Sequence, residues 1–133
     1  MILYLDASAL VKRYVEEEGS DEVLEAMSPE SRWVMCRIGY VETVRAVARG
    51  GEPEDLERLR REWSLFDIVE IGQDLSERAA RLTVSTGLRA LDALHMAAAL
   101  SLPARDVLFA TWDIRLHRVA CQQGLRTLPV ALD

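Results

Sequence analysis

Five short runs, Ile2–Leu5, Trp33–Cys36, Ile68–Ile71, Val107–Ala110 and Arg126–Leu128, punctuate this chain, and the stretches between them carry helical rather than strand periodicity. That alternation constrains the fold more than any other feature. Strands separated by helices pair in parallel, because a parallel neighbour needs a crossover long enough to hold a helix. Short, mostly apolar runs without polar alternation are what strands covered on both faces look like. The expectation is an α/β layer structure with a short, mostly parallel central sheet. At 133 residues, half of them hydrophobic, the chain suffices for one domain over residues 1–133.

The helices between the strands have readable ends. Ser20, Asp21 and Glu22 start one that carries Val23, Leu24 and Met27 and stops at Ser28-Pro29. Pro53 suits a first turn, followed by an apolar stripe of Leu56, Leu59 and Trp63. Asp74-Leu75-Ser76-Glu77 has the pattern of a capping box, with Gly87 closing that helix. Gly50-Gly51 closes another, RIGYVETVRAVARGG, whose stripe reads Ile38, Val41, Val44 and Ala48 with Glu42 at its edge.

The segment from Ala90 to Leu102, ALDALHMAAALSL, is almost wholly apolar, and Asp92 is its only charge. An ionised acid on an apolar packing surface is costly unless it is paired, hydrogen-bonded or bound to a cation. Three further acids occupy similar places. Asp6 ends the run MILYL, Asp113 follows VLFAT, and Glu42 can point inward from its helix. In an open parallel sheet functional groups gather at the carboxyl ends of strands, where Asp6 and Asp113 fall. Asp92 belongs to the first turn of its helix, where the macrodipole favours a carboxylate.

Four such acids point to one metal pocket. All-oxygen donors suit a hard divalent cation, Mg²⁺ or Mn²⁺, and the two histidines form no ligand cluster with Cys36 and Cys121, which argues against zinc. Taken singly, each acid has a plainer role: Asp6 and Asp113 as helix N-caps, Glu42 as a solvated charge.

The acids and their surroundings also resemble a known family. Asp6 in LDASAL, Glu42 in YVETVRAV, Asp92 in LRALDALHMAAAL, and Thr111 and Asp113 in FATWDIRL resemble the motifs of PIN-domain nucleases, and length and order are similar to the VapC-type toxins of toxin–antitoxin pairs. The resemblance implies a three-layer α/β/α PIN fold and a Mg²⁺- or Mn²⁺-dependent endoribonuclease. It also implies a homodimer held inactive by a VapB-type antitoxin. By motif position Asp6, Glu42, Asp92 and Asp113 become the catalytic, metal-binding acids. Ser8 and Thr111 become hydroxyl donors that orient them.

The remaining composition bears on partners. Acids outnumber bases 22 to 16, a formal charge of −6, which disfavours non-specific nucleic-acid binding unless bases cluster beside the pocket. Arg13, Arg45 and Arg115 are the expected RNA-phosphate contacts, with Lys12 and Arg37 as further flanking bases. His95 reads as a satisfied core histidine, or as a partner of Asp92. Trp33, Trp63 and Trp112 read as packing residues, with Trp112 the one placed to stack on a base.

Cys36 and Cys121, embedded in apolar sequence without CxxC spacing, read as reduced core residues of a cytoplasmic protein with no membrane span. A haloacid-dehalogenase-like phosphatase would need an acid where Ser8 stands, and a receiver domain a late lysine, whereas the only lysine is Lys12. A non-catalytic protein using the acidic pocket for a structural ion or a basic partner remains the alternative from another class.

Overall fold

A computed structural model describes the chain from Met1 to Asp133. Its strands are β1 (Ile2–Leu5), β2 (Arg32–Cys36), β3 (Asp67–Val69), β4 (Val107–Ala110) and β5 (Arg126–Leu128). They form one sheet in the order β3-β2-β1-β4-β5, every pair parallel. Seven α-helices connect them: α1 (Ala7–Tyr14), α2 (Ser20–Ala26), α3 (Arg37–Gly50), α4 (Pro53–Glu62), α5 (Gln73–Thr86), α6 (Ala90–Leu100) and α7 (Ile114–Gln122). None is long and apolar enough to cross a membrane.

Side-chain alternation along the buried strands splits the core in two. Ile2 and Tyr4 of β1, Val34 and Cys36 of β2, and Val107 and Phe109 of β4 pack against α5, α6 and α7. Leu3, Leu5, Met35 and Ala110 face the opposite way, onto α1, α2, α3 and α4. The result is three layers, α/β/α, as the strand runs predict.

The order places a topological switch between β1 and β4. The chain leaves β1 toward β2 and β3 on one side and leaves β4 toward β5 on the other. The crevice beyond their carboxyl ends is where open α/β sheets put functional groups. Residue pairing brings Leu5 opposite Ala110, so Asp6 and Thr111 emerge side by side.

Several local expectations need correction. The third strand is Asp67–Val69 rather than Ile68–Ile71, because pairing with β2 ends at Cys36 opposite Val69. Helix α5 starts at Gln73 after Gly72, so Asp74 stands inside the first turn, where it complements the macrodipole, and no side-chain cap forms. A capping box occurs instead at Glu52 and Asp55, ahead of α4 with Pro53 in its first turn. On α3 the buried positions are Gly39, Thr43 and Val47, whereas Val41 and Ala48 are exposed. The helix is therefore rotated from the expected stripe, with Thr43 accommodated by its hydroxyl bonding the Gly39 carbonyl at 2.7 Å. Cys36 is buried and free as expected, but Cys121 is exposed, since it lies beside the α7 face that packs inward through Leu116, Val119 and Ala120.

Candidate functional site

Asp6 follows β1 directly and caps α1, its Oδ1 accepting from the Ala9 amide at 2.9 Å and the Ser8 hydroxyl at 2.7 Å. Its Oδ2 accepts from the Thr111 hydroxyl at 2.6 Å. Each hydroxyl has a second contact: Ser8 accepts from the Trp112 amide at 2.8 Å and Thr111 from the Asp113 amide at 3.1 Å. Since each hydroxyl has a single proton, given to Asp6, the 3.4 Å approach of Ser8 to Thr111 is a contact without donation. Asp6 is thus the acceptor that ties the ends of β1 and β4 together.

Asp113 caps α7 by accepting from the Leu116 amide at 2.9 Å. The N-cap role weighed as an alternative for Asp6 and Asp113 is therefore real at both. It also fixes each carboxylate at the crevice, so capping and site placement are served by one residue.

Asp92 lies in the first turn of α6, half-buried. Its sole ion-pair partner is Arg89, 3.9 Å away on a largely exposed side chain, too loose to compensate it. Burial pushes the Asp92 carboxyl up from its ordinary range, repulsion from Asp113 and Asp6 adds to the rise, and Arg89 opposes it. Burial likewise raises Asp6, against the pull of its three donors. Asp6, Asp92 and Asp113 therefore share one electrostatic neighbourhood, in which buried His95 is the basic side chain that opposes the rise at Asp6 and Asp92.

Glu42 is held through a histidine. Its Oε1 meets His95 Nε2 at 2.6 Å, and His95, 2 % exposed, is engaged on its other nitrogen by the Tyr4 hydroxyl at 2.8 Å. Reading His95 as a satisfied core histidine was sound; its carboxylate partner is Glu42 and not Asp92. The signal that could have found this pairing is Tyr4, whose place in β1 directs it to the α6 side of the sheet.

These side chains suit a hard cation in donor chemistry and in uncompensated charge. As they stand, no three Asp, Glu, His or Cys side chains are gathered to enclose one. The arrangement fits an ion held by one or two carboxylates that keeps several waters, the usual habit of Mg²⁺.

The flanking bases divide in two. Arg13 is locked in a two-pronged pair with Glu62 at 3.0 and 2.9 Å and lies over the Trp33 ring, so its charge is consumed within the fold. Lys12 is buried, paired with Glu17 and 4.9 Å from the Trp112 ring centre, and Arg37 grips Glu70. Arg45 and Arg115 are exposed and unpaired. Arg115 and Arg118 line a groove of about 380 Å³ between α7 and the turn at Thr86, Gly87 and Leu88. Trp33 and Trp63 pack with Phe66, and Trp112 lies against Lys12 and Gly19, partly exposed.

Comparison with known proteins decides the family. Residues 3–121 match the PIN domain. This chain belongs to the PIN-domain family. Among curated PIN-domain relatives, ribonuclease VapC45 of Mycobacterium tuberculosis is 31% identical over 141 residues, covering 99% of this chain and 98% of its own length. Ribonuclease VapC47 of the same species is 33% identical over 119 residues, covering 86% and 87%. The fold matches solved structures at lower identity. M. tuberculosis VapC20, described as a sarcin-ricin loop cleaving toxin, superposes with TM-score 0.69 at 15% identity over 88% of this chain and 94% of that one. VapBC2 of Rickettsia felis, solved on a promoter DNA fragment, superposes with TM-score 0.66 at 15% identity over 96% and 97%.

Proposed function

We propose that this PIN domain is an endoribonuclease that hydrolyses RNA phosphodiesters with a carboxylate-held Mg²⁺ or Mn²⁺, and that residues 1–133 act as one catalytic unit. The three mutually repelling aspartates at the β1/β4 crevice, none in a close ion pair with a buried Lys or Arg, carry this reading. It is supported by full-length similarity to VapC ribonucleases.

One or two of Asp6, Asp92, Asp113 and Glu42 would hold the ion directly, the others acting through its waters. When bound, the ion supplies a water of lowered pKa and neutralises charge on the scissile phosphate. Ser8 and Thr111 spend their protons on Asp6, which keeps its lone pairs directed and its carboxylate ionised in a buried setting. Arg115, with Arg118 in the adjoining groove, and Arg45 on α3 are free to meet backbone phosphates. Arg13 is withdrawn from that role by Glu62.

By analogy with the VapBC complexes among its structural neighbours, the protein would be a cytoplasmic toxin, a homodimer, restrained by a VapB-type antitoxin laid across the acidic crevice. The test is cleavage of a mixed RNA substrate with Mg²⁺, Mn²⁺ or chelator, alongside Asp92→Asn. Cleavage that needs both ion and acid supports the enzyme. An ion that stabilises the protein while no RNA is cut would favour the non-catalytic, metal-stabilised binding protein.

A further inference from the structure

We infer that His95 is a positioning residue for Glu42, its tautomer set by the buried Tyr4 hydroxyl so that Nε2–H holds the Glu42 carboxylate in one place. The nuclease reading says what this positioning serves; the positioning itself stands on four contacts.

Tyr4 is fully buried, and its oxygen accepts from the Cys36 amide at 3.2 Å. Its own proton then has one place to go, His95 Nδ1 at 2.8 Å. With Nδ1 occupied as an acceptor, the ring proton belongs on Nε2, directed at Glu42 Oε1 2.6 Å away. No buried side-chain polar atom in the protein lacks a partner. The reverse tautomer would set two protons against each other at Nδ1 and leave Nε2 without one to give.

Packing fixes the ring as well as the proton. Tyr4 stacks on Phe109 at 5.3 Å with 3° between planes and meets His95 edge-on at 79°. The chain of contacts runs from β4 through β1 and α6 to α3, so Glu42 is anchored by the sheet, not by its own helix alone. A glutamate on a half-exposed helix flank otherwise samples many rotamers. Here one oxygen is committed to His95, and Oε2 carries no protein hydrogen bond. It is left available to an ion or its water, the arrangement in which outer partners tune a metal ligand.

The experiment uses the full chain in three readouts. Two-bond ¹H–¹⁵N spectra without added metal should show His95 protonated at Nε2 and bare at Nδ1; a ring protonated at Nδ1 overturns the inference. Calorimetric Mn²⁺ binding should fall roughly 10–100-fold in His95→Leu and be largely retained in His95→Gln, whose amide can accept from Tyr4 and donate to Glu42. Equal affinity in all three proteins refutes the positioning role. Where His95→Leu fails to fold, Glu42→Ala replaces it: loss of the slowly exchanging Nε2 proton signal supports the bond, and an unchanged signal refutes it. Wild-type protein with the expected tautomer and Mn²⁺ dependence that cuts no RNA overturns the nuclease reading and leaves the positioning intact.

Discussion

Thr111→Val tests whether hydroxyl donors hold the candidate centre together. Thr111 is completely buried, and valine matches its shape, so packing is nearly unchanged and the hydroxyl alone is removed. Two bonds go: the 2.6 Å donation to Asp6 and the 3.1 Å acceptance from the Asp113 amide. A hydrogen bond to a charged group contributes about 1.5–3 kcal/mol, and an orphaned amide costs about 1 kcal/mol at a half-buried site. The expected loss is therefore roughly 2.5–4 kcal/mol, a large share of the 5–15 kcal/mol typical of a domain. Thr111→Ser keeps the hydroxyl and loses a methyl group, costing about 1 kcal/mol.

Urea unfolding of both variants at several pH values separates the contributions. Burial already raises the folded-state pKa of Asp6 above its unfolded value, and the Thr111 bond is one of the effects that hold it down. Removing that bond raises the folded pKa further, so the variant binds its proton at higher pH. The gap between wild type and Thr111→Val should be full above both folded pKa values and narrow as pH falls through them. A serine variant as damaged as the valine variant, or a gap that ignores pH, would refute the proposed role of the hydroxyl.

Asp92→Asn should raise the melting temperature of metal-free protein, because it relieves repulsion from Asp113 and Asp6, and should shrink the Mn²⁺-induced stabilisation, which for an intact site is about 2.7 kcal/mol at 100 times Kd. Differential scanning calorimetry reads both effects, and equal metal shifts in the two proteins would exclude Asp92 as a ligand. Arg115→Glu should weaken RNA binding in filter assays and lower the salt slope by about one or more, whereas Arg13→Ala should mainly destabilise the fold by breaking the pair with Glu62. Glu62 is held below its ordinary pKa chiefly by Arg13, so its stabilisation is present above the unfolded pKa and is lost as pH falls through the lower folded value. Gly19→Ala should cost distinctly more than Gly87→Ala in chemical denaturation: both glycines have positive φ, worth about 1–2 kcal/mol each, but a methyl at Gly19 would sit 2.7 Å from the Trp112 ring and one at Gly87 meets open space.

The sheet was legible because its strands are short, apolar and separated by helices, a pattern that few architectures satisfy. Strand order was not read from the sequence: that β1 and β4 are neighbours, which brings Asp6 near Thr111 and Asp113, comes from long-range pairing. Orientation within elements escaped the sequence as well. The face of α3 was misread because Val41 and Ala48 look more apolar than Thr43, whose hydroxyl is satisfied within its own helix. Arg13 looked free because Glu62, its partner, lies 49 residues away, beyond the reach of local pattern. The partnership of Glu42 with His95 was hidden for the same reason: it spans 53 residues and depends on a tyrosine from a third element.

The strand order carries a consequence for synthesis. β1 is made before the other strands of the sheet but sits in its middle, and its second neighbour, β4, begins only at Val107. Until then the nascent chain has Asp6, Glu42 and Asp92 but neither Thr111 to hold Asp6 nor Asp113 to complete the acids. The order of the strands thus makes the segment from Val107 onward the one that brings Thr111 and Asp113 to Asp6.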